Sequence, residues 1–347
     1  MPKLNKMTVK TIRNMKQSKK SISILIYLIL FINCSFSVLQ AQENTLNNTD
    51  KGAYFSLITG AGARFGVLTE NFYEIQSDGT LYKKSWLTWE TLPLFFGTFE
   101  FDTGYRFSKY NSITLNSFFS FGIPAFTGHM ADYDAFLYDG CITDYSYHDN
   151  YTDNFFSTGF YANFCFLKGF GVGIGFEYQN FKFYGKNGYA QHTFPRSRHW
   201  NPDMPHTSEY EGNTVITYDI TSFFWKPGLV FRHSFANKVN IGLDVWAYLY
   251  RYSKAYDIHY KFAPNIPYSY FKDIVEAWLS GFEIHTSVEY AITDFYSVSF
   301  RLNGEQLFNA YGDDYLGSPP DYRINEDYKG GFEAWSISGS FSLILKF

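Results

Sequence analysis

The sequence predicts an all-β protein: a ten-stranded antiparallel transmembrane β-barrel with long extracellular loops and short periplasmic turns. Three observations lead there. Aromatic residues make up 22% of the 347 residues, with 38 Phe and 30 Tyr, yet mean hydropathy is only −0.23. Aromatic girdles on strands with one apolar and one polar face reconcile these values. Beyond residue 40 no run approaches the roughly 20 apolar residues of a membrane helix. Strand-like runs rich in Tyr, Phe, Ile, Val and Thr recur from residue 53 to the end, joined alternately by tight turns and polar stretches.

Residues 1–41 read as a secretory signal peptide and residues 42–347 as the barrel. Lys3, Lys6, Lys10, Arg13, Lys16, Lys19 and Lys20 form a basic start. Ile22 to Ile32 is an apolar stretch too short to span a bilayer, and "LQAQ" offers cleavage after Ala41. A lipid-attachment site at Cys34 is the alternative, though Asn33 stands where a small residue is usual. Ten strands are expected, at about 53–74, 81–108, 111–134, 152–168, 170–192, 212–235, 237–262, 271–292, 295–310 and 328–347. Turns at 108–111, 167–169, 235–238 and 293–295 are tight; the connections 74–80, 134–152, 192–212, 262–271 and 310–328 are polar and mostly long. An even number of antiparallel strands closes the sheet without edges, as lipid demands. In the last strand Trp335, Ile337, Gly339, Phe341, Leu343, Leu345 and Phe347 alternate with Ser336, Ser338, Ser340, Ser342, Ile344 and Lys346, so one face suits lipid and the other a polar lumen. A soluble β-sandwich would have shorter, less aromatic strands. Cys141 and Cys165 fall at opposite ends of the barrel, too far apart to bridge.

The chemistry sits at the loop side. "KAYDIHYKF" places Asp257 and His259 two apart on one strand, hence on one face. "HMADYDAF" places Asp132 and Asp134 likewise, at the same rim. Even-numbered Thr114, Asn116, Ser120 and Gly122 put Asp132 and Asp134 toward the lumen. In strand seven the apolar odd positions Val239 to Leu249 face lipid, so Asp257 and His259 turn inward only if a bulge falls between Leu249 and Asp257. With that bulge, His259 is placed to act as general base, Asp257 to orient it, and the facing carboxylates to hold a water.

Taken together, these segments resemble the omptin family of outer-membrane endopeptidases across nearly the whole mature chain. "HMADYDAF" resembles the segment with two catalytic aspartates, here Asp132 and Asp134. "YDIHY" matches the catalytic Asp-x-His, here Asp257 and His259. "ITDYSYHDN" resembles the following loop with its substrate-binding Asp and nearby His, here Asp144 and His148. "LKGFGVGIGFEYQNFKFYGKNG" resembles the next turn and strand. "RFGVLTENFYE" resembles the stretch whose Glu binds a basic residue, here Glu70. The resemblance implies cleavage between basic residues at the cell surface of a diderm bacterium, with no metal, cofactor or covalent intermediate. It also implies lipopolysaccharide as a lipid required for activity, and cationic peptides or proteins as substrates. Where the family carries a second acid two residues before the dyad Asp, this chain has Ala255.

Charge agrees with that substrate class. From Ala131 to Asp153 stand Asp132, Asp134, Asp139, Asp144, Asp149 and Asp153, with no Lys or Arg; a one-signed loop concentrates cationic substrates. Net charge is −4, and no nucleic-acid partner is expected; a monomer is. Competing readings are an inactive barrel serving as adhesin, a metalloenzyme using His129, Asp132, Asp134, His148 and His259, and a porin. No metal-binding spacing supports the second, and a ten-stranded lumen is narrow enough for side chains to fill, against the third.

Overall fold

The computed structural model describes residues 52–108, 111–167, 169–193, 198–235, 238–263 and 266–347. The leader predicted over residues 1–41, with Cys34, lies outside them. Among the described residues, fourteen strands and no helix form one antiparallel sheet. Ten passes of the chain build it. Passes one and two are β1 (Gly52–Ile75) and β2 (Leu81–Arg106). Pass three is split into β3 (Ser112–Gly122) and β4 (Ala125–Asp134). Passes four and five are β5 (Asp144–Leu167) and β6 (Phe170–His192). After the two-residue β7 (Ser208–Glu209), pass six is β8 (Thr214–Phe235). Pass seven is split into β9 (Val239–Ala247) and β10 (Tyr250–Ala263), and pass eight into β11 (Ile266–Trp278) and β12 (Gly281–Ala291). β13 (Tyr296–Leu316) and β14 (Arg323–Lys346) follow. The ring closes because β14 pairs with β1 from Ser56↔Lys346 to Glu74↔Tyr328.

The ten predicted passes are all present, but several of the polar connections are shorter than expected, the one at 192–212 excepted. β5 starts at Asp144 rather than near 152, and β13 and β14 run on to Leu316 and back to Arg323. Polar sequence had been read as loop where strands continue beyond lipid. The exposed outer face shows where that change falls. On the turn side it is Phe, Val, Leu and Ile: Phe95, Phe160, Phe164, Val172, Leu229, Val245, Val288, Phe300 and Phe341 are all exposed. On the loop side the outward positions of β4, β5 and β10 become Tyr133, Tyr145, Tyr147, Lys254 and Tyr256. A 26-residue strand such as β2 is roughly 85 Å long and, tilted by about 40°, rises roughly 65 Å against an apolar band of about 25 Å. The barrel therefore projects well past its apolar belt.

Two of the three split passes, three and seven, change phase near the top of the belt. In β9 the buried residues are even-numbered Gly242 and Trp246, followed by Tyr248; in β10 the buried residues are Arg251, Ser253, Ala255 and Asp257. The slip falls at Tyr248–Leu249, at the near edge of the predicted interval, and turns Asp257 inward. Pass three slips twice, at Ile123–Pro124 and at the bulge between Phe126 and Gly128. The two slips cancel, so Met130, Asp132 and Asp134 keep the even-numbered inward phase.

Below this level the lumen is filled. Lys226, fully buried, is ion-paired with Glu177 and, at 2.6 Å, with Glu283. Arg301 bonds Glu100 at 2.6 Å and Arg64 bonds Glu305 at 2.6 Å. Between these ion pairs and the mouth, aromatic side chains pack together, with Trp89 stacked on Phe183 and on Tyr218. Cys141 is exposed and free, Cys165 buried and free.

Candidate active site

Strand pairing lays one inward row across the first passes: Glu70 opposite Leu87, Leu87 opposite Asp132, Asp132 opposite Ser146. One step closer to the rim, Asp134 lies between Ser85 and Asp144. Asp257 and His259 come from pass seven, which in a ring of ten stands nearly opposite pass three, four passes away one way round and six the other. The two sequence-predicted acidic pairs therefore face each other across the barrel mouth, on the loop side of the apolar belt.

His259 Nε2 is 2.5 Å from Asp257 Oδ2, and the ring meets Phe271 edge-on at 5.3 Å. Burial alone would lower the imidazole pKa, but the charge of Asp257, the hydrogen bond to it, and the charges of Asp132 and Asp134 overcome that and raise it to about 9. Asp132 is raised to about 8, first by burial and then by Asp134; His259 pulls the other way. Ser85 Oγ donates to Asp132 Oδ1 at 3.4 Å. The mouth thus holds an imidazole and a carboxyl that both exchange protons in the mildly alkaline range, each sensing the other's charge.

His148, fully buried, lies on β5 rather than in a loop. Its Nδ1–H donates to the Asn187 carbonyl at 2.6 Å, so Nε2 accepts from Ser146 Oγ at 3.0 Å. Burial lowers its pKa, in keeping with that neutral tautomer. Asn187, at φ 58, adopts the left-handed conformation that Asn tolerates better than most residues; the carbonyl of this strained residue bonds His148. Asp144 is likewise buried on β5, where its Oδ1 accepts the Thr193 N–H at 3.0 Å and lies 3.5 Å from His192 Nδ1. Glu70 is 6% exposed, and burial followed by Asp257, Asp273, Asp132 and Asp314 pushes its carboxyl well above the usual range.

The six acids from Asp132 to Asp153 do not form one loop surface. Asp132, Asp134 and Asp144 point inward. Asp139 pairs with His199 at 2.6 Å, Asp149 lies 3.8 Å from His129, and Asp153 is 3.1 Å from Lys182. Asp139 lies in the short connection between β4 and β5, and strand alternation divides the other acids between two faces.

Sequence reasoning missed two inward acids. Asp273 on β11 is 4% exposed and Asp314 on β13 is 1% exposed, and they are paired opposite each other. Asp273 was legible in principle: in "FKDIV" it keeps the inward phase of Phe271 and Val275. Asp314 lay in a segment read as loop.

No known family model matches the chain, and no curated protein matches it in sequence. Among solved structures it is similar to the outer membrane protease OmpT from Escherichia coli, with TM-score 0.70 and 16% identity over 88% of this chain and 99% of that one. The chain has that fold. Its similarity to OprG from Pseudomonas aeruginosa is much looser, with TM-score 0.33 and 8% identity over 86% of this chain and 97% of that one.

Proposed function

We propose that the chain is an outer-membrane endopeptidase, active at the cell surface of a diderm bacterium, that cleaves peptides and proteins at basic and chiefly dibasic sites. The observation that carries this reading is the hydrogen-bonded Asp257–His259 pair facing Asp132 and Asp134 across the mouth. A water held between the two pairs gives its proton to neutral His259 as it attacks the scissile carbonyl. Asp257 keeps the ring in place and stabilises the imidazolium. The tetrahedral intermediate collapses when His259 returns the proton to the leaving amine, so no metal, cofactor or acyl-enzyme is needed. Because His259 rests protonated at neutral pH, the rate rises as the site loses its proton.

Glu70 receives a basic side chain on one side of the bond and Asp144 on the other. His148, lacking exposed surface, acts by fixing Ser146 beside Asp132. Residues 1–41 act as the export signal, the barrel works as a monomer, and lipopolysaccharide at its wall supports activity. The second reading, an inactive barrel used as an adhesin, is favoured by one observation: Ala255, fully buried, stands where the omptin pattern has an acid.

A quenched fluorescent peptide with an Arg–Arg centre tests the proposal, using refolded protein with and without lipopolysaccharide and with EDTA. Cleavage that resists EDTA and is lost in Asp132→Ala and His259→Ala supports it. A folded barrel that cleaves no basic peptide would refute it and leave the adhesin reading.

A further inference from the structure

The missing acid at position 255 has a replacement one strand away. Ala255 is paired directly opposite Asp273, which is paired in turn opposite Asp314. Directly opposed residues on one sheet face hold their Cβ atoms about 5 Å apart. A carboxyl on Asp273 therefore reaches much the same volume as one on residue 255. We propose that Asp273 and Asp314, together with Glu70, form the anionic pocket that receives the guanidinium or ammonium group of the residue before the cleaved bond; this rests on the peptidase reading above.

Three features show that the pocket is built for a cation. First, the acids lack a counter-charge. None of the ion pairs among the described residues involves Glu70, Asp273 or Asp314; Glu70 Oε2 is buried without a hydrogen-bond partner, and Asp273 and Asp314 hydrogen-bond to each other and not to a cation. Buried carboxyls left in that state are costly unless something is gained elsewhere.

Second, the polar group next to them is unpartnered too. Tyr218, fully buried and paired opposite Asp257, has a hydroxyl with no partner. The charges of Glu70, Asp273 and Asp257 all act on it, which places it at the acids. The buried Arg251, whose charge also acts on Tyr218, pairs with none of these acids: its guanidinium lies 4.4 Å over the Phe332 ring, with Nη2 donating to the Phe332 carbonyl at 3.4 Å.

Third, the adjoining wall, two strands along, is cut away for Asp273. A Cβ at Gly330 on β14 would come within 1.8 Å of Asp273 Oδ1. Gly330 is not in a left-handed conformation, so glycine serves there only to leave room for the carboxyl. Asn325 Nδ2 donates to Asp314 Oδ2 at 2.8 Å and steadies the second acid.

The test separates this pocket from the peptidase reading. Binding of p-aminobenzamidine, a fluorescent amidinium, is titrated into the refolded full-length barrel, and peptides with Arg or its neutral isostere citrulline before the cleaved bond are compared by kcat/KM. In Asp273→Asn and in Asp314→Asn the amidinium affinity and the Arg-to-citrulline ratio each fall by about tenfold or more, the size of one charge-assisted hydrogen bond. Moving the acid back, in Ala255→Asp/Asp273→Ala, restores most of the ratio. Cleavage that needs His259 but keeps its ratio within about threefold in both Asn variants would overturn the pocket and leave the peptidase. Asp273-dependent amidinium binding by a barrel that cleaves neither peptide would support the pocket and overturn the peptidase. Absence of both in a folded barrel would overturn both.

Discussion

Asp257→Asn isolates what the dyad does. The 2.5 Å contact and the facing acids raise His259 to about 9. At pH 7.5 an imidazole of that pKa is only about 3% neutral, whereas one at the ordinary 6.5 is about 90% neutral. Asparagine keeps the shape but removes the charge that is the largest favourable cause of the rise. The neutral fraction at pH 7.5 should therefore grow up to about thirtyfold. The ring, however, loses its orienting acceptor and the support for its cationic form, so kcat falls by about 10²-fold or more. Loss of rate alone would fit many explanations; the pH profile does not. In the wild type, kcat/KM for an Arg–Arg peptide climbs through the region of about 8 to 9, as Asp132 and His259 give up protons. In Asp257→Asn the limb belonging to His259 moves down by about 2 pH units, toward 6.5 or lower. The assay is initial rate against pH from 5 to 10, with circular dichroism confirming the fold at each end. A limb that stays within half a unit of the wild type would show that Asp257 does not set the state of His259, and the dyad argument would fail.

Three further outcomes follow from the same structure. His259 is raised in the folded state, so its ion pair stabilises below the unfolded value of about 6.5 and is lost as pH rises through about 9; the melting-temperature deficit of Asp257→Asn should be larger at pH 6 than at pH 10. Burial and then Asp314 raise the Asp273 carboxyl well above its usual range. The folded state thus prefers it protonated, and stability is lost as pH rises through that folded value; Asp273→Asn should gain more in melting temperature at pH 8 than at pH 4. In the lumen, Lys226→Met leaves Glu177 without its cation and Glu283 with His285 alone; it should cost about 3–5 kcal/mol in chemical unfolding, with part recovered by adding Glu177→Gln.

What could be read from the sequence was local. Alternation with a period of two is written in neighbouring residues, so β14 and its serine face, the ten passes and the even-numbered inward phase of Asp132 all emerge without coordinates. The Asp257–His259 pair was legible for the same reason, since residues two apart share a face whichever face that is. The face itself was not legible. It depends on the slip at Tyr248–Leu249, where Leu249 N–H bonds back to the Ala247 carbonyl and across to the Trp225 carbonyl. Nor does polarity alone separate a loop from a strand that has risen past lipid, because both present Tyr, Lys and Asp to water. Only the tertiary structure set Asp273 opposite Ala255, put Asp314 beside it and cleared room at Gly330. These residues are far apart in the chain, and what joins them is the register of pairing between strands. Register is decided by many weak hydrogen bonds acting together around a closed ring, and no single stretch of sequence carries it.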